Sequence, residues 1–292
     1  MKWVVNVPKD FKFDTTVKGH GWYRLAPFHY FEEEKKLTRV EELSSGRVVQ
    51  LIITPEHEQA INVSVEDEEL TEQEGTEILK KVRWMFRLDE DLQPFYKRCL
   101  ELPEMAYVAE EKHGRLLRSS TLFEDFVKVM LTTNTTWNRT ISMTALLVEK
   151  LGKPLTSHPD QKAFPQPVSI VNHGVSFLKE EIRLGYRSDY IYELALKVTK
   201  GELNLEEFLN PDLSTEILIK QLKAIKGIGP YAQSTLLMIL GSYDQLPVDS
   251  EFRKHVRTKY FKGKDPTSKQ IAKLYQKWGN YKYLAYWFDR KA

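Results

Sequence analysis

The chain has 292 residues, 41% hydrophobic and 29% charged, with a net charge of only +2. That length buries a real core in one large or two moderate domains, and the balanced charge excludes a polycation, so any nucleic-acid contact must come from a local patch. Cys99 is the sole cysteine, which excludes an internal disulfide and fits a reducing compartment. The apolar start Trp3-Val4-Val5 ends at Asn6 and Pro8, so no signal or membrane-spanning segment is expected and the protein reads as cytoplasmic.

Met1 to about Val65 reads as strands. Val4–Val7, Val48–Ile53 and Ala60–Val65 are rich in β-branched residues, and turn material such as Ser44-Ser45-Gly46 and Thr54-Pro55 separates them. From Thr71 the period becomes helical, with Ile78, Val82, Met85 and Phe86 on one face. An antiparallel sheet covered by a helix is expected over residues 1–90. Within it, Gly19-His20-Gly21-Trp22-Tyr23 is unusual, and its Trp and Tyr are expected in the core, with the border of a cleft as the alternative.

Residues 91–292 read as helices, giving an α+β chain overall. The expected helices lie near Pro94–Leu100, Thr121–Thr132, Arg139–Leu151, Val168–Phe177, Leu178–Leu184, Asp189–Lys200, Glu251–Tyr260 and Ser268–Asp289, with one further pair between them. That pair is the most distinctive stretch. Leu218, Leu222 and Ile225 form an amphipathic stripe, Gly227-Ile228-Gly229 permits a tight reversal, and Pro230 suits the first position of a second helix carrying Leu236, Leu237 and Leu240. The tip is almost bare backbone. Open N–H groups and the positive dipole end there form a site for a phosphate oxygen, so Gly227, Ile228, Gly229, Tyr231 and Ala232 are candidate phosphate contacts. Carbonyls of Lys223, Ile225 and Ile228 could hold a structural Na or K ion beside it.

Past the second helix comes Pro247-Val248-Asp249-Ser250, then a charged helical run, Arg253 to Lys264. An aspartate there caps a helix and also lies a helix-length from the phosphate-binding tip. The whole stretch from Leu222 to Val256 resembles the helix-hairpin-helix, Gly/Pro-rich loop and aspartate signature of the HhH-GPD DNA glycosylase superfamily. Phe123 to Asn134, Leu184 to Tyr190 and Trp278 to Trp287 are similar to further segments of its alkylbase branch, the bacterial 3-methyladenine DNA glycosylase II type. The pattern of residues 1–90 is similar to the TBP-like amino-terminal domain of the alkylbase and oxoguanine branches.

The resemblance implies a catalytic Asp249, an Asn134 that fills the gap left by an extruded base, and a base pocket bordered by Tyr231 and Trp287. Members that also nick the strand carry a lysine two residues after the second hairpin glycine; this chain has Tyr231 there, and a phenol forms no Schiff base. The implied activity is a monofunctional glycosylase without lyase activity, releasing 3-methyladenine or 7-methylguanine from damaged double-stranded DNA, with no catalytic cofactor. A single cysteine also excludes a four-cysteine iron–sulfur cluster. An 8-oxoguanine glycosylase and a non-catalytic hairpin DNA-binding protein remain alternatives. A monomer is expected.

Overall fold

The computed structural model describes residues 1–66 and 69–290. In chain order the elements are β1 (Lys2–Asn6), α1 (Phe13–Val17), β2 (Phe28–Phe31), β3 (Lys36–Glu42), β4 (Val48–His57), β5 (Ala60–Val65), α2 (Glu72–Met85), α3 (Gln93–Leu100), α4 (Ala106–Glu110), α5 (Leu122–Thr132), α6 (Trp137–Leu151) and α7 (Pro167–Glu180). Then come α8 (Arg187–Thr199), α9 (Thr215–Lys223), α10 (Pro230–Leu240), α11 (Ser250–Tyr260), α12 (Ser268–Tyr275) and α13 (Lys282–Asp289). Among the described residues no helix is long and apolar enough to cross a membrane.

The five strands form one antiparallel sheet in the order β1-β5-β4-β3-β2. Leu37, Ile53 and Val63 stand opposite one another along the ladder and are fully buried, as a period of two requires on a covered face. Helix α2 buries Ile78, Val82 and Met85, the predicted stripe. Its start is fixed by a capping box in which Thr71 Oγ1 accepts the Glu74 N–H at 3.2 Å and Glu74 accepts the Thr71 N–H at 2.9 Å. Trp22 is buried, and a Cβ on Gly21 would lie 2.2 Å from the Trp137 ring, so the Gly-His-Gly-Trp segment is core packing.

The chain folds as two compact units, Met1–Asp91 with Lys112–Leu205, and Leu92–Glu111 with Glu206–Ala292. Residues 291–292, at the end of the expected 91–292 piece, lie outside the described residues. The first unit breaks off at Asp91, beside the expected boundary near residue 90, and resumes at Lys112; buried charge ties the resumed part to the sheet. Arg39 of β3 donates to Glu124 of α5 at 2.9 Å and pairs with Glu41 at 2.7 Å, while Lys128 donates to Glu124 at 2.6 Å. Beside them Trp22 Nε1 donates to Asp125 at 2.6 Å. A charge removed from water needs its partners, so α5 and the sheet share one interior. Burial works against the Glu124 carboxylate, but Arg39 and Lys128 outweigh it and hold it below the usual range. Asp125 has no such partner, and burial raises it.

Three local readings are corrected. Strands β2 and β3 were not among the expected β-branched runs; Phe-His-Tyr-Phe and Lys-Leu-Thr-Arg-Val-Glu-Glu become strands through pairing with β4. The break expected between Phe177 and Leu178 falls at Gly174, whose φ of 77° a helix cannot contain. The single helix expected from Ser268 to Asp289 is two, because Gly279 (φ 54°) interrupts it within a 3₁₀ segment, Gln276–Tyr281.

Candidate functional site

The hairpin lies in the second unit. Ser214 caps α9, which buries Leu218 and Leu222, and Ile225 continues that face into the turn. Gly227 has φ 89°, the left-handed region that favours glycine. Gly229 does not share it: with φ −81° and ψ 179° it is extended backbone at the N-cap of α10, and a Cβ there would meet nothing within 4 Å. Freedom of backbone angle is therefore required once, at Gly227, and Gly229 keeps an open approach to the helix start.

The first rung of α10 is the Gln233 N–H bonded to the Gly229 carbonyl at 2.9 Å. The N–H groups of Tyr231 and Ala232 precede that rung and have no intrahelical acceptor, whereas Pro230 has no N–H to offer. Ile228 departs from expectation. Its N–H donates to the Ile225 carbonyl at 3.1 Å and its side chain is buried, so it is no outward donor. Among the candidate cation ligands the Ile225 carbonyl carries that bond, while the carbonyls of Lys223 and Ile228 have no hydrogen-bond partner among the described residues. A set of turn carbonyls fits a hard cation, which takes oxygen ligands.

Asp249 stands at the N-cap of α11 in the same unit. Its Oδ1 accepts the Phe252 N–H at 2.7 Å, and Oδ2 has no recorded partner among the described residues. The helix start thus fixes the carboxylate through one oxygen and leaves the other available. The basic run that follows is divided. Arg253, Lys254 and Arg257 are exposed, but His255, Lys259 and Tyr260 turn to the buried Asp289, at 2.7, 3.0 and 2.6 Å. Burial opposes the charge on Asp289, yet bonds from Tyr260, His255 and Lys259 hold its carboxyl below the usual range.

Helix α13 brings an aromatic face to this unit, with Tyr283, Tyr286, Trp287 and Arg290 at the three- and four-residue spacings that share a helix face. The Tyr283 and Trp287 rings stack with centroids 6.4 Å apart and planes at 20°. Burial pushes the Tyr283 phenol up, assisted by nearby Tyr231 and the Asp249 charge. Burial also pushes Tyr286 up to about 12; the Arg290 charge acts against this and the Asp249 charge acts with it. Tyr231, half-exposed at 37%, Trp287 and Asp249 are therefore brought into one neighbourhood. Tyr283 and Tyr286 fall inside the segment Trp278 to Trp287 without being singled out, and Arg290, the C-cap of α13, lies beyond it.

Asn134 belongs to the other unit. It sits exposed just past α5 with φ 45°, a left-handed conformation that asparagine tolerates. Its Nδ2 donates to the Tyr186 hydroxyl at 3.3 Å, and Arg187 donates to the carbonyls of Thr133 and Asn134. The Arg187 guanidinium lies 4.6 Å from the centre of the exposed Tyr186 ring. Tyr186 and Arg187 lie within the Leu184 to Tyr190 segment, and their contact with residue 134 is not legible from spacing.

This chain has a sheet-bearing helical fold, a Gly/Pro hairpin and a helix-capping aspartate, and the relative and the solved structures that it resembles are DNA glycosylases by name. The DNA-3-methyladenine glycosylase of Bacillus subtilis (strain 168) is 24% identical over 266 residues, covering 88% of this chain and 87% of that protein. The 3-methyladenine DNA-glycosylase structure from Archaeoglobus fulgidus matches with a TM-score of 0.78 at 21% identity, over 99% of this chain and 98% of that one. The Clostridium acetobutylicum 8-oxoguanine glycosylase/lyase, in complex with double-stranded DNA containing cytosine opposite 8-oxoguanine, matches with a TM-score of 0.72 at 18% identity, over 99% and 96%. No family model matches the chain.

Proposed function

We propose that this protein is a monofunctional DNA glycosylase that flips a damaged purine out of the duplex and hydrolyses its N-glycosidic bond, with alkylated purines as substrate. The observation that carries this reading is the Asp249 carboxylate, pinned through one oxygen at a helix start and unpartnered at the other, in the unit that holds the open hairpin amides. A base inside a duplex is unreachable, so the enzyme must extrude it. The Tyr231 and Ala232 amides meet a phosphate through the space that Gly229 leaves, which grips any sequence alike. Asn134, with Tyr186 bonded beside it, fills the vacated stack. Positive charge builds on the sugar as the bond opens, and Asp249 stabilises it and orients the incoming water. Turn carbonyls of Lys223 and Ile228 would hold a monovalent cation that stiffens the hairpin.

Alkylated purines are favoured because methylation at N3 or N7 makes the base cationic, which weakens its bond to the sugar and suits the open Tyr231 ring. The Bacillus subtilis relative bears a 3-methyladenine name. With a phenol in the lysine position, the product is an abasic site. One observation favours a second reading, oxidised purine: Arg290 sets a fixed positive charge on the Trp287 ring. The test is base release from a panel of lesion duplexes, read by mass spectrometry of the free base. Release of 3-methyladenine or 7-methylguanine is expected, with strand scission only after alkali. Dominant release of 8-oxoguanine moves the assignment to the second reading; DNA binding without release of any base leaves a hairpin DNA-binding protein.

A further inference from the structure

Arg290, just past the end of α13, places its guanidinium 4.7 Å from the centre of the Trp287 ring and 5.8 Å from that of Tyr286. Arg290 is exposed as a residue, and its guanidinium lies against these two rings. The Trp287 face thus already carries a cation. Tyr231, by contrast, has no cation recorded over its ring among the described residues.

We propose that Arg290 is a specificity-determining residue, whose fixed charge on the Trp287 face discriminates against cationic bases and in favour of neutral ones. This inference rests on the glycosylase reading for its biological meaning. A cationic 7-methylguanine placed against this aromatic face gains from the π-systems but is repelled by the guanidinium. A neutral base loses nothing, and its carbonyl oxygens are acceptors for the guanidinium N–H groups. The preference between the two lesion classes is then a difference of two opposing charge effects, one at Tyr231 and one at Arg290. Removing the arginine shifts it in a known direction.

The test uses the full chain as wild type, Arg290→Gln and Arg290→Lys. Binding of 7-methylguanosine, kept below the pH at which its N1 proton leaves, and of guanosine is followed by chemical-shift titration of the tryptophan indole signals. Arg290→Gln should raise affinity for 7-methylguanosine about tenfold, the effect of one unit charge on another at a partly solvated site, and leave guanosine within twofold. Arg290→Lys keeps the charge and should stay close to wild type. In parallel, the ratio of kcat/KM for 7-methylguanine to that for 8-oxoguanine duplexes should rise by a similar factor in Arg290→Gln only. Equal changes for both nucleosides, a lysine variant that behaves like glutamine, or no indole shift with either nucleoside would overturn the proposal. If the nucleoside pattern holds but no duplex releases a base even with wild-type protein, the glycosylase reading fails and the charge discrimination stands.

Discussion

Asp249 has two tasks in the proposed mechanism: Oδ1 closes the first turn of α11, and Oδ2 would serve the chemistry. Asparagine caps a helix as well as aspartate does, so Asp249→Asn separates the two tasks. Melting temperature should stay within about 2 °C of wild type, a shift worth about 1 kcal/mol for a chain of this size. Base release should fall by at least about a hundredfold, because removing charge stabilisation of this kind typically costs that much. Near-normal turnover would take the aspartate out of the mechanism. Tyr231 supports a second expectation at the same scale. Borohydride should trap no enzyme–DNA adduct, since the residue in the lysine position is no amine; a trapped adduct recovered by gel would refute the monofunctional claim.

The hairpin shows what an element adds to its residues. Its two glycines look alike in sequence but differ in the fold, one strained and crowded by its own backbone angle, the other ordinary and open. Gly227→Ala forces a side chain into the left-handed region and should cost about 1–2 kcal/mol of stability. A Cβ at Gly229 meets no protein atom within 4 Å, so Gly229→Leu should cost no more than the loss of a glycine N-cap, about 1 kcal/mol, while affinity falls equally for damaged and undamaged duplexes in fluorescence anisotropy. Loss confined to lesion duplexes would assign the hairpin tip to the pocket instead. Both helices were readable, because the apolar stripe, the glycine turn and Pro230 at the first helical position all agree locally. The 3₁₀ segment before α13 was not. Gly279 sits in a run of aromatic residues that continues a helical period, and only its backbone angle reveals the break. Strands β2 and β3 escaped for the converse reason: Lys36–Glu42 has the composition of a helix surface and is held as a strand by its neighbours.

Each of the two units carries its own charge lock, Glu124 between Arg39 and Lys128 in one and Asp289 among His255, Lys259 and Tyr260 in the other. The boundary near residue 90 marked a real change of period, but α5 is tied to the sheet by side chains that lie far from it in sequence, and long-range pairing has no local signal. The helix-capping aspartate and the hairpin were legible because both sit in one short stretch; Asn134 and its partner Tyr186 belong to separate elements, so their contact was not. Both lock carboxylates are held below their usual range. A depressed native value means that the stabilisation is fully present above the unfolded-state value, about 4 for these groups, and is lost as pH falls through the native one. Glu124→Gln leaves Lys128 and Arg39 buried with a neutral partner and should cost about 3–5 kcal/mol at pH 7. Asp125→Asn, one residue on, should cost far less, because burial already favours the uncharged form of Asp125. Urea unfolding between pH 7 and pH 3 checks the signs together. The gap between wild type and Glu124→Gln should narrow as the solution is acidified, since wild type then loses the charge that the variant lacks throughout. A gap that stays constant down to pH 3 would mean that the Glu124 carboxylate is not held below its ordinary range, and that the buried lysine and arginine are balanced by something other than its charge.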